Sequence, residues 1–317
     1  MKNIYSNIFS FNKKTLSKSL KILKRDGVIG LPTETVYGLA GNAYSEKAIK
    51  KIYKLKKRPK INPLIIHYSS FKKAKKDVFL NDNFFRLYKK ICPGPITFIL
   101  KKNLKSKISP LATNNLRTVA VRFPKNKTVQ SILKNIDFPL AMPSANLSFG
   151  VSPVNAKDVA DDFKNKLKVI INGGKSKIGI ESTVVDLSEE PRILRPGIID
   201  KKILEKLLKT KVNFVKKNTK LSSPGLLKKH YSPGIPMFLN KKIFLTENAF
   251  ITFGKNHKNK KNYFNLSKKS DLKIAASNLY YILRLIKQLK YKKIYVVKIP
   301  NKGVGIAIND RLKRAAY

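Results

Sequence analysis

Val28-Ile29-Gly30-Leu31-Pro32-Thr33-Glu34-Thr35 begins as an apolar run of strand length, stops at a proline, and opens into two hydroxyls and a carboxylate. The run reads as a short buried strand. The residues after it read as a loop at the strand's C-terminal end, where α/β sheets usually bind ligands; capping of the following turn by Thr33 or Thr35 is the plainer alternative. Upstream, residues 12–26 carry Leu16, Leu20, Ile22 and Leu23 among lysines, an amphipathic helix pattern that ends at Gly27. Downstream the alternation continues. Helices are predicted over 46–57, 84–91, 128–134 and 201–209, and strands over 64–67, 96–101, 118–122, 140–142, 169–171 and 183–187. Helix and strand taking turns predict an α/β fold built on a twisted open sheet with helices.

From Thr210 to Asn240 the periodicity is lost, and Ser222, Ser223, Pro224, Gly225, Pro233, Gly234 and Pro236 gather in what reads as a linker. Beyond it, apolar runs at 243–245, 250–253 and 294–299 flank a helix over 274–289, and a last helix covers 306–316. That order suggests a small Rossmann-like α/β module. The expected division is a sheet domain over 1–209, a linker over 210–240 and a small C-terminal α/β domain over 241–317, which suits a chain of 317 residues.

The formal net charge is +50, yet the lysines spread along the whole chain, including ordinary helix surfaces such as 13–24 and 201–211. Even spreading reads as compositional drift; a phosphate-neutralising stripe is the rival reading. Against 58 lysines stand ten arginines. Where arginine survives in such a background, a planar fork that grips carboxylate or phosphate is a reason for it. Arg58, Arg117, Arg122 and Arg195 all fall inside the motifs below. The one cysteine, Cys92, rules out an internal disulfide or a thiolate metal cluster and fits a reducing compartment. No stretch reaches the roughly 18 apolar residues of a membrane span, and the N-terminus lacks a secretory core. A cytoplasmic protein with no membrane partner is expected.

Lys56 and Arg58 stand beside Pro59 at a helix end, just before Asn62-Pro63-Leu64 leads into a strand, which favours an anion site. Pro143-Ser144-Ala145-Asn146 and Gly179-Ile180-Glu181-Ser182-Thr183 place small hydroxyl residues at strand edges, as turns commonly do. With Thr118, Arg122 and Arg195 they supply donors and guanidinium groups without an obvious base, nucleophile or metal cluster. The histidines, His67, His230 and His257, have no zinc-ligand spacing, and no Gly-x-x-x-x-Gly-Lys-Ser/Thr loop is present.

Taken in order, these motifs resemble the threonylcarbamoyl-AMP synthases in their long form, a YrdC-like domain followed by a smaller C-terminal domain. The resemblance rests on 27–39, Lys56-x-Arg58-Pro59, Asn62-Pro63-Leu64, Pro93-Gly94-Pro95-x-Thr97, 117–122, 143–146, 181–186 and Arg195-Pro196-Gly197. It continues through Ser223-Pro224-Gly225, His230-Tyr231-Ser232-Pro233 and the C-terminal run from Gly305 to Ala316. Cys92 stands where an aromatic residue is usual, Phe149 where glycine is frequent, and Val154 where threonine is common.

The resemblance implies a nucleotidyltransferase that forms threonylcarbamoyl-AMP and pyrophosphate from L-threonine, bicarbonate and ATP, for modification of transfer RNA. It implies that Thr35, His67, Arg122, the backbone at Met142, and Ser182 hold L-threonine. Arg58, Asn62, Thr118, Ser144, Ser152, Arg195 and Tyr231 would hold ATP, and Lys56 with Arg58 would face the triphosphate or bicarbonate as catalytic residues. ATP is expected with Mg2+ and without a protein-only metal site or prosthetic group. The linker is expected to fold over the cleft as a lid. The expected partners are the small substrates and the downstream tRNA threonylcarbamoyl-transfer machinery, with weak RNA binding besides. A non-catalytic RNA-binding protein of the same fold is the alternative, although the chain lacks the aromatic stacking pattern such proteins use.

Overall fold

In the computed structural model the apolar run becomes β2 (Ile29–Leu31), buried along its whole length. It turns through residues 32–37 into an antiparallel partner, with Leu31 opposite Gly38. The structure describes residues 5–59, 61–215, 230–244, 247–255 and 260–316; Lys60, Ser223-Pro224-Gly225 and His257 lie outside them.

The other strands of the large sheet are β1 (Ile8–Ser10), β3 (Gly38–Asn42), β4 (Ile65–His67), β5 (Ile96–Lys101), β6 (Thr118–Arg122), β7 (Leu140–Ala141), β8 (Ile170–Asn172), β9 (Thr183–Asp186), β10 (Arg192–Arg195) and β11 (Asn213–Phe214). Their order is β1-β8-β2-β3-β7-β4-β6-β5-β9-β10-β11, with parallel and antiparallel neighbours mixed. Two registers matter for the site. His67 is level with Arg122, and Thr97 is level with both Arg122 and Val184. Level residues on neighbouring strands share a sheet face, so these strands bring together side chains that are far apart in sequence.

A second sheet joins β12 (Met237–Phe238), β13 (Ala249–Thr252), β14 (Tyr263–Asn265) and β15 (Ile294–Val296), all parallel, in the order β12-β15-β13-β14. The helices Leu272–Gln288 and Val304–Ala315 pack against each other beside it. The expected α/β fold, a large sheet with helices and a second smaller α/β unit, is what forms.

Several local expectations were off. No strand forms at residues 243–244; the edge of the small sheet is β12, inside the stretch read as linker, and β11 in the same stretch extends the large sheet. The helix Ala156–Phe163 was not anticipated, although Asn155 and Asp158 cap it reciprocally. β3, Gly-Leu-Ala-Gly-Asn, has little strand propensity, and its pairing with β2 and β7 decides the matter.

The two units share a core. Val36, Val151, Val154 and Ile180 pack in one apolar cluster with Tyr231, Leu279, Leu283 and Ile308. At Gly179, with φ of +75°, a Cβ would lie 2.6 Å from Ser277 Cα on the helix Leu272–Gln288. Only glycine permits both that backbone angle and that approach.

Candidate active site

The helix Glu46–Lys56 is capped by Ser45 and ends on Lys57 in the left-handed region, which turns the chain so that Arg58 meets the cleft. Arg58 donates from Nε to the Asn62 carbonyl at 3.0 Å and from Nη2 to the Pro63 carbonyl at 2.9 Å. Burial lowers the guanidinium to about 10, which leaves it cationic at neutral pH. Lys56 turns inward and is buried. Its amine donates to the carbonyls of Ser144 (2.5 Å) and Asn146 (2.6 Å), so it binds the wall that Ser144 helps to form. Burial, and then Arg58, push that amine well below the ordinary lysine value.

Arg58 faces a cavity of about 50 Å³, which His67, Arg122, Ser144, Arg195 and Tyr231 also line; Lys56 stands behind its wall. Met142 also faces it, with its amide donating to the Ile65 carbonyl at 2.9 Å. Burial and Arg122 hold the His67 imidazole well below its usual value, so it is neutral, with Nδ1 3.1 Å from the Ile65 carbonyl. Arg122 gives Nη2 to Glu34, while its Nε is buried without a partner.

Other expected residues stand close behind the wall. Thr35 is fully buried, its hydroxyl 2.8 Å from that of Thr33. Ser182 shares a 2.7 Å hydroxyl contact with Thr97 and accepts from Arg195 Nη2 at 3.1 Å. The backbone carbonyl of Ser182 takes Arg195 Nε. Asn62 is buried with Oδ1 unpartnered, a free acceptor beside Arg58. Ser152 donates to Glu181 at 2.6 Å.

Two expectations fare differently. Thr118 opens β6 and lies roughly 13 Å along that strand from Arg122, so it is not brought to the cavity wall. Arg117 is exposed.

Tyr231 also lines the cavity and is buried. Its ring lies 5.6 Å from Tyr280 in a stacked arrangement, with the Arg311 guanidinium carbon 5.3 Å from the ring centroid. Its neighbours are pinned on two sides: the His230 amide donates to the Arg314 carbonyl at 3.1 Å, and the Ser232 amide to the Phe149 carbonyl at 2.8 Å. Phe149 itself has φ of +70°, a conformation that suits the glycine frequent at that position in the family it resembles.

Sequence reasoning passed over the carboxylates. Glu181 accepts from Ser152, from Tyr280 at 2.8 Å and from Arg311 Nε at 2.9 Å. Burial alone would raise it, but Arg311, Arg195 and the two hydroxyls outweigh that and hold it at about 2. Arg284, also from the C-terminal unit, ties down the same region through Asp162 (2.7 Å) and the Val151 carbonyl (2.6 Å). A signal was available. With 18 acidic residues against 68 basic ones, an acid inside a motif is conspicuous, and Glu34 and Glu181 both sit in one.

The arrangement concentrates cations and hydroxyl donors around a small space. Among the described residues, no group of three His, Cys, Asp or Glu side chains could hold a metal ion. Glu181, which lines the cavity, is already fully engaged. The site can bind and orient an anion-rich substrate.

Comparison with known proteins agrees with this geometry. Residues 21–197 match the family model described as "Telomere recombination", and residues 199–317 match "Threonylcarbamoyl-AMP synthase, C-terminal domain". The chain is 34% identical over 317 residues to the threonylcarbamoyl-AMP synthase of Pyrococcus abyssi, covering 92% of this chain and 91% of the relative. To the Bacillus subtilis synthase it is 31% identical over 333 residues, covering 97% and 94%. The crystal structure of P. abyssi Sua5 complexed with L-threonine superposes with a TM-score of 0.88 at 29% identity, covering 98% of this chain and 96% of that one. Escherichia coli YciO, at 22% identity and TM-score 0.55, shares the fold over 63% of this chain. By both of its matched segments and by full-length likeness, the chain belongs to the threonylcarbamoyl-AMP synthase family, ATP-using enzymes of the nucleotidyltransferase type.

Proposed function

We propose that this site joins L-threonine, bicarbonate-derived CO2 and ATP into threonylcarbamoyl-AMP. The threonine amine adds to CO2 to give a carbamate and releases a proton. A carbamate oxygen then attacks the α-phosphorus, and the bond to the departing pyrophosphate breaks. The reaction needs no protein nucleophile. It needs negative charge gathered and reacting atoms held in line, which cations and preorganised donors supply. One observation carries the reading: Arg58, Arg122 and Arg195 converge with Ser144, His67 and Tyr231 on one small cavity.

In this reading Arg122, neutral His67, Thr35, Met142 and Ser182 receive threonine. The P. abyssi relative, whose structure contains L-threonine, supports that assignment. Arg58, Asn62, Ser144, Ser152, Arg195 and Tyr231 receive the nucleotide, and Thr118 joins them only if bound ATP extends along β6. Lys56, expected to face the triphosphate or bicarbonate as a catalytic residue, instead gives its amine to the Ser144 and Asn146 carbonyls and braces that wall behind the phosphates. Mg2+ arrives with the triphosphate.

A cavity of about 50 Å³ is far below the roughly 300–1,000 Å³ of ordinary ligand pockets, so nucleotide entry requires Tyr231 and its neighbours to move. Between the catalytic part and the C-terminal part, Tyr231 and its neighbours then act as a lid, keeping water from a labile product, while β11 and β12 at the two ends of the linker stay in their sheets. The product passes to a transferase acting on tRNA, in the cytoplasm, with surface lysines adding weak RNA contact.

The test is incubation with ATP, bicarbonate and single amino acids, with pyrophosphate and acyl-adenylate measured. Threonine and bicarbonate should both be required. Equal pyrophosphate with serine, alanine or no amino acid would defeat the assignment.

A further inference from the structure

Glu34 touches the site from outside its wall. Its Oε1 accepts from Nη2 of Arg122 at 2.7 Å. Its Oε2 accepts from the backbone amides of Lys125 (3.1 Å) and Asn126 (3.3 Å), where the helix Lys127–Lys134 begins. The Glu34 carbonyl takes the Ile178 amide at 2.9 Å, so the backbone is held as well. Arg122 faces the cavity and is 4% exposed, and its Nε has no partner.

We propose that Glu34 is a positioning residue for amino-acid recognition: by holding Nη2 of Arg122, it fixes the guanidinium plane that meets the carboxylate of incoming threonine. The inference rests on the reading of Arg122 as the anchor for that carboxylate. A guanidinium is planar and rigid, so fixing one nitrogen on a side chain already rooted in β6 fixes the direction of the others. Binding then starts from an oriented fork.

The same contact has a second interpretation of opposite sign, a gate in which Glu34 occupies the place of the substrate carboxylate and must leave. The amides of Lys125 and Asn126 argue against it. They hold the Glu34 carboxylate independently of Arg122, at a helix N-terminus that favours negative charge.

The experiment measures threonine and ATP affinities of the full chain by calorimetry for the wild type, Glu34→Gln and Glu34→Ala, with melting curves alongside. Glu34→Ala should weaken threonine binding at least about tenfold, the worth of orienting one charge-assisted hydrogen bond. Glu34→Gln keeps an acceptor for Arg122 and should lose less. ATP affinity should hold in both. In a cycle with Arg122→Lys, the second substitution should add little to the first. Threonine binding that is unchanged or tighter in Glu34→Ala overturns the proposal, as does a parallel loss of ATP binding with a collapsed melting curve. A wild type that binds no threonine sinks the reading of Arg122 along with it; a wild type that binds threonine beside an equally competent Glu34→Ala sinks this proposal alone.

Discussion

Arg311, on the last helix of the chain, donates from Nε to Glu181 Oε2 at 2.9 Å, and both side chains are buried. Residues 130 positions apart thus join the C-terminal unit to the Ser152 side of the active site, because Glu181 also accepts from Ser152. The pair is costly to break from one side, since a buried charge without its partner keeps its full desolvation penalty. Arg311→Met should therefore lower stability by about 3–5 kcal/mol in urea unfolding. Adding Glu181→Gln should recover part of the loss. A change below about 1 kcal/mol, the range of an exposed pair, would show that the contact does not join the units.

Acid should weaken the fold in two overlapping windows. The Glu181 carboxyl sits at about 2 in the folded chain against an ordinary 4.5, so its stabilisation is complete above 4.5 and is lost as pH falls towards 2. Burial lowers the His230 imidazole to about 3 from 6.5, so folding loses stability as pH drops from 6.5 towards 3, where the unfolded chain binds the proton first. The difference in melting temperature between the wild type and His230→Gln should be constant above pH 6.5 and move progressively in the variant's favour below it, the variant having no proton to gain. Parallel curves from pH 7 to 4 would contradict the His230 contribution.

Tyr231 should matter more to nucleotide than to threonine. Replacing it by alanine removes a ring that lines the cavity and stacks on Tyr280. ATP affinity should fall about tenfold, the value of one aromatic contact to a base, and acyl-adenylate should leak to solvent faster than from the wild type. Threonine affinity should stay close to normal. Unchanged ATP binding and unchanged product lifetime would leave Tyr231 and its neighbours without a lid function.

The net charge of +50 should be dispensable at the site. Lys72, Lys268 and Lys269 are exposed and remote in sequence from the motifs. Changing all three to Gln should keep turnover within about threefold at 0.1 M salt, where charges are screened within roughly 10 Å. Lys73 is a poor choice for that experiment, since its amine bonds the carbonyls of Leu133 and Ile136. A loss matching that of Arg58→Ala would make the charge field functional.

The sequence by itself determined the alternation of strands and helices, because apolar periodicity is local and strong in runs such as Val28–Leu31 and Ile96–Lys101. It also determined the family, because ordered motifs of small, hydroxyl and cationic residues are conspicuous against a lysine-rich background. β3 and β12 were not legible, since Gly-Leu-Ala-Gly-Asn and Met237–Phe238 become strands only through partners supplied from elsewhere. The roles of Glu34, Glu181, Tyr280, Arg284 and Arg311 belonged to tertiary structure alone. A carboxylate's function depends on which cation faces it, and Arg122 lies 88 residues from Glu34 while Arg311 lies 130 from Glu181. Sequence supplies the charges. Only the packing of one unit on the other decides which of them meet out of water, where pairing is strong and an unpaired group is costly.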